Sequence, residues 1–169
     1  MVRARDWHYA CVTPDEAAPD ASWIPRSSTG VFLCMEPCSL LNACRMGIHA
    51  ARREDKNSVA FDIECPHEYR ETPTLAHTSW TAGVMSEMCG QLPLFFGIMV
   101  FTGTVTTRFQ AAVPHGERLI GRATLEGRER RKVFVDATLT SSVTGTELVK
   151  ASAITIAIEM RNLEDRGLI

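Results

Sequence analysis

Between His77 and Gly90 the sequence reads HTSWTAGVMSEMCG: a histidine, two small hydroxyl residues, a short apolar run and a carboxylate, Glu87, in the third turn of the implied helix. Chemistry on a carbonyl needs a fixed hydrogen-bond donor where negative charge develops, and a group that positions or activates a nucleophile. The amino end of a helix supplies such donors. Its leading N–H groups have no intrahelical acceptor, and the helix dipole is positive there.

The elements that must hold this segment are legible around it. Thr81, Val84, Met85 and Met88 fall at i, i+3, i+4 and i+7, a narrow apolar stripe, with Ser79, Gly83 and Gly90 as small flanking residues. Upstream, Met46 to Arg53 and Ser58 to Cys65 read as a hairpin joined by the charged turn EDKN, and HEYRETPT reads as a loop broken by Pro73. Downstream, the segments 98–113, 117–125, 131–143 and 146–160 are rich in Val, Ile, Thr and Phe, with turns expected at Pro114-His115-Gly116, Gly127-Arg128 and Thr144-Gly145. Val133, Val135, Ala137 and Leu139 alternate with polar neighbours, as in a sheet with one dry face. The expectation is an α+β domain, a long antiparallel meander wrapped around one central helix. Residues 1–28 read as an N-terminal extension that Trp7, Trp23 and Ile24 can pin onto the body or across an oligomer interface, 29–160 as the domain, and 161–169 as a polar tail.

Bulk properties narrow the function classes. At 169 residues, 45% hydrophobic and 22% charged, the chain is the size of one domain able to bury a core without disulfides or metal. A net charge of -2 and a pI near 6.2 give no general attraction to nucleic acid or to anionic membrane. The most apolar run, Leu92 to Phe101, is interrupted by Pro93 and Gly97 and is too short to span a bilayer. MVRARDWHYACVTPDE lacks the apolar centre of a secretory signal, so a cytoplasmic location is expected, with no disulfide framework among Cys11, Cys34, Cys38, Cys44, Cys65 and Cys89. The spacings CMEPC and CSLLNAC are not the tight pairs of a zinc ribbon, so buried thiols are expected and no metal.

Three pieces of the chain, in order, carry a family likeness. Cys38-Ser-Leu-Leu-Asn42-Ala-Cys-Arg-Met-Gly47-Ile48-His49 is similar to a Cys-Gly-x-x-Asn-x-x-Gly-Leu-His lead-in, longer here by two residues between Asn42 and Gly47. His77 to Gly90 matches a His-Gly-Gly motif and its helix without a gap, and the three turns between residues 114 and 145 fall in step. Over residues 34–160 the chain resembles the hotdog-fold acyl-CoA thioesterases of the phenylacetate-pathway and 4-hydroxybenzoyl-CoA type. The resemblance implies a hotdog fold, a homodimer or homotetramer, and an acyl-CoA or acyl-carrier-protein substrate bound at a subunit interface. Coenzyme A enters as part of that substrate, and no separate cofactor is implied.

It also implies roles for particular residues. The backbone N–H of Thr78 takes the oxyanion position, with Ser79 beside the substrate and His77 at the site's edge, where the alternative is a helix cap or loop anchor. Thr78 and Ser79 stand in place of the two glycines. Ser86 stands where relatives carry the catalytic Asp or Glu, and Glu87 follows about 100° further around the helix. Ser86 is a poor nucleophile without a base, but it can position water or the thioester carbonyl, or be a small packing residue facing the sheet; Glu87 can activate water, or be a helix-side carboxylate paired elsewhere. Asn42 in the lead-in is a further substrate-contact candidate. Arg128, Arg130 and Arg131, in a run with four cations in five residues, suit the phosphates of coenzyme A, against the plainer reading of a solvated turn.

The expected function is hydrolysis of a small to medium acyl thioester. The alternative is a hotdog protein that binds an acyl thioester or a small aromatic ligand without turnover, because Ser86 replaces the usual acid. Nothing around the helix resembles the Asp and His pair of hotdog hydratases.

Overall fold

A computed structural model of the chain describes residues 24–25 and 46–158. Its strands are β1 (Ile24–Pro25), β2 (Ile48–Arg53), β3 (Ser58–Glu64), β4 (Arg70–Thr72), β5 (Leu75–Ala76), β6 (Val100–Phe109), β7 (Arg118–Glu129), β8 (Lys132–Ser141) and β9 (Glu147–Ala157); the one α-helix among the described residues, α1, spans Thr78–Gln91. Seven strands form a single antiparallel sheet in the order β1-β2-β3-β7-β8-β9-β6, and β4 and β5 make a separate small hairpin. α1 packs on the inner face of the sheet, against β6, β7, β8 and β9.

The alternation in β8 sets that face. Val133, Val135, Ala137, Leu139 and Ser141 are buried, while Lys132 and Asp136 are exposed. α1 answers with Trp80, Thr81, Val84, Met85, Met88 and Cys89, all buried, the expected stripe among them. Each large side chain so removed from water contributes about 1.5–3 kcal/mol. Gly121 of β7 lets helix and sheet approach closely: a Cβ there would lie 2.1 Å from Met88 Sδ and 2.7 Å from Ile63 Cδ1. Trp80 is fixed at the other end by its indole N–H, which donates to the Met46 carbonyl over 3.2 Å. The helix passes directly into a 3-10 turn, Leu92–Phe96, which Gly97 ends in the left-handed conformation at φ 70°.

Two expectations are corrected. The long strands do not form a simple meander, because β6 pairs with β9 at the far edge and not with β7. The stretch around Pro114 is therefore no hairpin turn. It is a crossing connection in which Ala76 N–H donates to Val113 O and His115 N–H to Thr74 O, both at 2.9 Å. Alternation within one strand tells which face is buried but not which strand lies alongside. Secondly, β7 continues through Gly127 to Glu129, and the β7–β8 turn falls at Arg130-Arg131, with Arg130 at φ 53°. Gly127 pairs with Phe134 within the ladder, just after a register shift in which Glu126 is the extra, bulged residue.

Elsewhere the differences are local. The expected loop HEYRETPT contains a 3-10 turn at His67–Tyr69 and strand β4, which pairs with β5 just beyond it. Ile24 and Pro25 pair with Ala51 and Ala50, so the expected extension meets the sheet edge. The cysteines at 34, 38 and 44, the candidate Asn42 and the C-terminal tail lie outside the described residues.

Candidate active site

The start of α1 is tied down by His77. Its backbone N–H donates to Tyr69 O at 2.7 Å, and its carbonyl accepts from Thr81 N–H at 3.1 Å and from Thr81 Oγ1 at 3.2 Å. Its ring is the cap: Nδ1 accepts from Ser79 N–H at 3.1 Å and lies 2.7 Å from Ser79 Oγ. Of the two roles open to His77, capping is the one the geometry displays. The Thr78 N–H, one residue before the capped donor, has no hydrogen-bond acceptor among the described residues.

Thr78 borders a cavity of about 500 Å³. Its polar wall is Thr78 and Thr81 from α1, Glu71 from β4, and Gln110. The rest is apolar: Leu75 and Ala76 of β5, Phe109 at the end of β6, and Ala111, Ala112 and Val113 from the connection that follows. The hairpin, the helix start and the crossing connection meet here because Leu75 bridges Pro114 and Ala76 bonds Val113. An open cleft with apolar and polar walls beside the positive end of α1 can accommodate an acyl chain and polarise its carbonyl.

The other candidates sit apart from this chamber. Ser86 and Glu87 are both half-buried in the third turn of α1, and neither borders the cavity. Glu87 Oε1 accepts from Gln91 Nε2 at 2.8 Å, one helical turn on. Ser79 is exposed on the same face of α1 as Gly83, Ser86 and Gly90, given about 100° per residue. Arg128, Arg130 and Arg131 are exposed at the β7–β8 turn, where Arg128 Nε donates to Arg130 O at 2.9 Å and Arg131 Nε to Ala157 O at 3.1 Å. Ala157 pairs with Val100, the opposite end of β6 from Phe109. The arginine turn and the cavity are thus separated along β6 by roughly 30 Å at about 3.3 Å per residue.

Two chemistries find no support in the described residues. Burial raises the Cys65 thiol to about 11 and the Cys89 thiol to about 12, so neither is a ready nucleophile. No three His, Cys, Asp or Glu side chains among the described residues converge as metal ligands. No described helix is long and apolar enough to cross a membrane.

Sequence reasoning missed Glu71, Gln110 and the apolar wall. Glu71 lay in a stretch taken for a loop, and only the register of β4 against β5 places it.

No family model matches the chain, and no curated protein matches its sequence. Its fold, however, is shared with solved structures. Zebrafish thioesterase superfamily member 2 matches with a TM-score of 0.64 at 13% identity, over 82% of this chain and all (100%) of that one. A Streptococcus mutans protein bound to acetyl CoA matches with a TM-score of 0.56 at 17% identity, over 60% of this chain and 82% of that one. A thioesterase superfamily protein matches with a TM-score of 0.58 at 18% identity over 63% of this chain, which spans only 52% of that protein's length. The architecture defined above is the hotdog fold: one helix held in a long antiparallel sheet.

Proposed function

We propose that the chain binds an acyl thioester, of coenzyme A or an acyl carrier protein, in the cavity at the start of α1, and hydrolyses it. The observation that carries this reading is that Thr78, whose N–H has no acceptor among the described residues, borders a partly apolar cleft of about 500 Å³. In it the thioester carbonyl accepts from Thr78 N–H, the positive end of α1 stabilises the oxyanion, and the acyl chain lies against Leu75, Phe109 and Val113. The volume suits a small to medium acyl group. The acetyl-CoA-bound structure of the same fold supports the choice of carrier.

A second copy completes the site in this reading. Among the described residues β6 pairs with β9 alone, leaving a ten-residue edge with Phe101 and Phe109 52% and 46% exposed. A long edge with a single charge, Arg108, near one end is normally covered. Antiparallel pairing of β6 with its copy sets the partner's Val100 end beside this protomer's Phe109 end. The partner subunit's Arg131, with its neighbours at 128 and 130, then comes from 30 Å away to the mouth of the cavity, where the phosphates of coenzyme A are bound. Pairing of two such dimers gives the tetramer.

Incubation of the full chain with acetyl-, hexanoyl- and phenylacetyl-CoA, with free coenzyme A followed by chromatography, tests the reading. Release above the uncatalysed rate for any of them supports hydrolysis, and absence of both binding and release rejects the proposal. A second reading, binding of a thioester or small aromatic ligand without turnover, is favoured by one observation: Ser86 is no acid and Glu87 is engaged by Gln91. Saturable binding without release of coenzyme A selects it, and a gain of hydrolysis in Ser86→Asp would show that the remaining site is competent.

A further inference from the structure

Hydrolysis needs a base, and the third turn of α1 places none on the cavity wall. The wall itself does: among the residues lining it, Glu71 is the one carboxylate. Its position follows from an irregular ladder. Arg70 pairs with Ala76 and Thr72 with Leu75, so β4 advances two residues while β5 advances one. Glu71 is the extra residue, a bulge flanked by the two β5 residues that also line the chamber. Bulges re-aim a side chain at the cost of a ladder bond, and recur beside active sites. β5 leads through His77 into α1, and His77 N–H is bonded to Tyr69 O two residues before Glu71. The carboxylate and the Thr78 donor are therefore held on one short, bonded piece of backbone.

We infer that Glu71 is the general base of this site, supplying from the β4 bulge the acid function that Ser86 does not provide on the helix; this rests on the thioesterase reading above. The Glu71 carboxylate takes a proton from a water molecule as its oxygen bonds to the thioester carbonyl carbon. The carbonyl electron pair moves to the oxygen held by Thr78 N–H. It then returns as the carbon–sulfur bond breaks, and the departing thiolate recovers the proton from Glu71. The products are one carboxylic acid and one thiol, with the base regenerated. Water is the only co-reactant.

Steady-state hydrolysis of hexanoyl-CoA, with binding of the same ligand measured by calorimetry, tests the assignment on wild type, Glu71→Gln, Glu71→Asp and Glu68→Gln. Glu68 is an exposed carboxylate outside the cavity lining and serves as the control. The expectation is that Glu71→Gln lowers kcat by about 10²-fold or more, the usual size of a lost general base, with KM and Kd within about threefold. The acid limb of the kcat/KM profile disappears with it, Glu71→Asp retains part of the rate, and Glu68→Gln matches wild type. Turnover in Glu71→Gln within about threefold of wild type, with the acid limb intact, overturns the role while leaving the thioesterase reading standing. Binding without turnover in wild type overturns Glu71 as a base and leaves only the binding site. Loss of rate accompanied by loss of binding in Glu71→Gln overturns a base role too, since it marks Glu71 as a ligand contact. Absence of any binding in wild type removes the underlying reading.

Discussion

Ser79 gives its backbone N–H to His77 Nδ1 at 3.1 Å, closing the first turn of α1 and leaving the Thr78 N–H between them directed to no acceptor among the described residues. The cap and the candidate oxyanion donor are thus consecutive N–H groups with separate tasks. His77→Ala should destabilise the fold by about 0.5–2 kcal/mol, the usual cost of an N-cap, and His77→Asn should recover most of it. Urea-unfolding midpoints at constant m-value measure both.

The approach of Met88 to Gly121 leaves no room for a methyl group, with 2.1 Å to Sδ and 2.7 Å to Ile63 Cδ1. Gly121→Ala should cost about 1–3 kcal/mol as an overpacked core. Met88→Ala in the same chain should give back part of that cost, a non-additive pair that a double-mutant cycle in urea detects.

The edge of β6 should decide oligomeric state. Thr104→Glu with Thr106→Glu places like charges along the strand, four in an antiparallel pair of copies, and should shift sedimentation from dimer toward monomer at micromolar protein. Thioester turnover should fall in parallel, because the arginine turn then has no neighbouring cavity to serve. A dimer unaffected by both changes would locate the interface elsewhere.

Arg128→Ala with Arg131→Ala should weaken acyl-CoA binding by roughly tenfold or more, given about 1.5–3 kcal/mol for a hydrogen bond to a charged group. Binding of the matching acyl-pantetheine, which lacks the nucleotide phosphates, should be unchanged. Equal effects on the two ligands would mean that the arginines act on the fold and not on the phosphates.

Burial holds the Cys89 thiol at about 12, above its ordinary 9.0. Between these values the unfolded chain has released the proton and the folded chain retains it, so unfolding releases a proton and stability falls as pH rises past 9. Cys89 contributes up to about 1.4 kcal/mol per pH unit there, and Cys89→Ala should flatten the alkaline side of the stability profile by that slope. On the acid side Glu54 behaves oppositely. Its hydrogen bond from Arg122 lowers its carboxyl below 4.5, and that stabilisation, full above 4.5, is lost as pH falls from there through the lowered value.

The sequence by itself determined the local elements. The i, i+3, i+4, i+7 stripe of α1 and the alternation of β8 depend on periods that each segment carries within itself, and both stand in the structure. The hotdog architecture was legible as a resemblance, carried by the Cys38–His49 lead-in, the His77–Gly90 segment and the turns between residues 114 and 145 taken together. What pairs with what was decided only in three dimensions. The placement of β6 beside β9, the extension of β7 past the bulge at Glu126, and the β4–β5 register all depend on contacts between segments, which no single segment carries within itself. The cavity follows the same rule. Thr78 was visible as the start of a helix, but Glu71 and Phe109 reach it from either side in sequence only because the crossing connection is bonded to β5, a tertiary event that no single-segment pattern records.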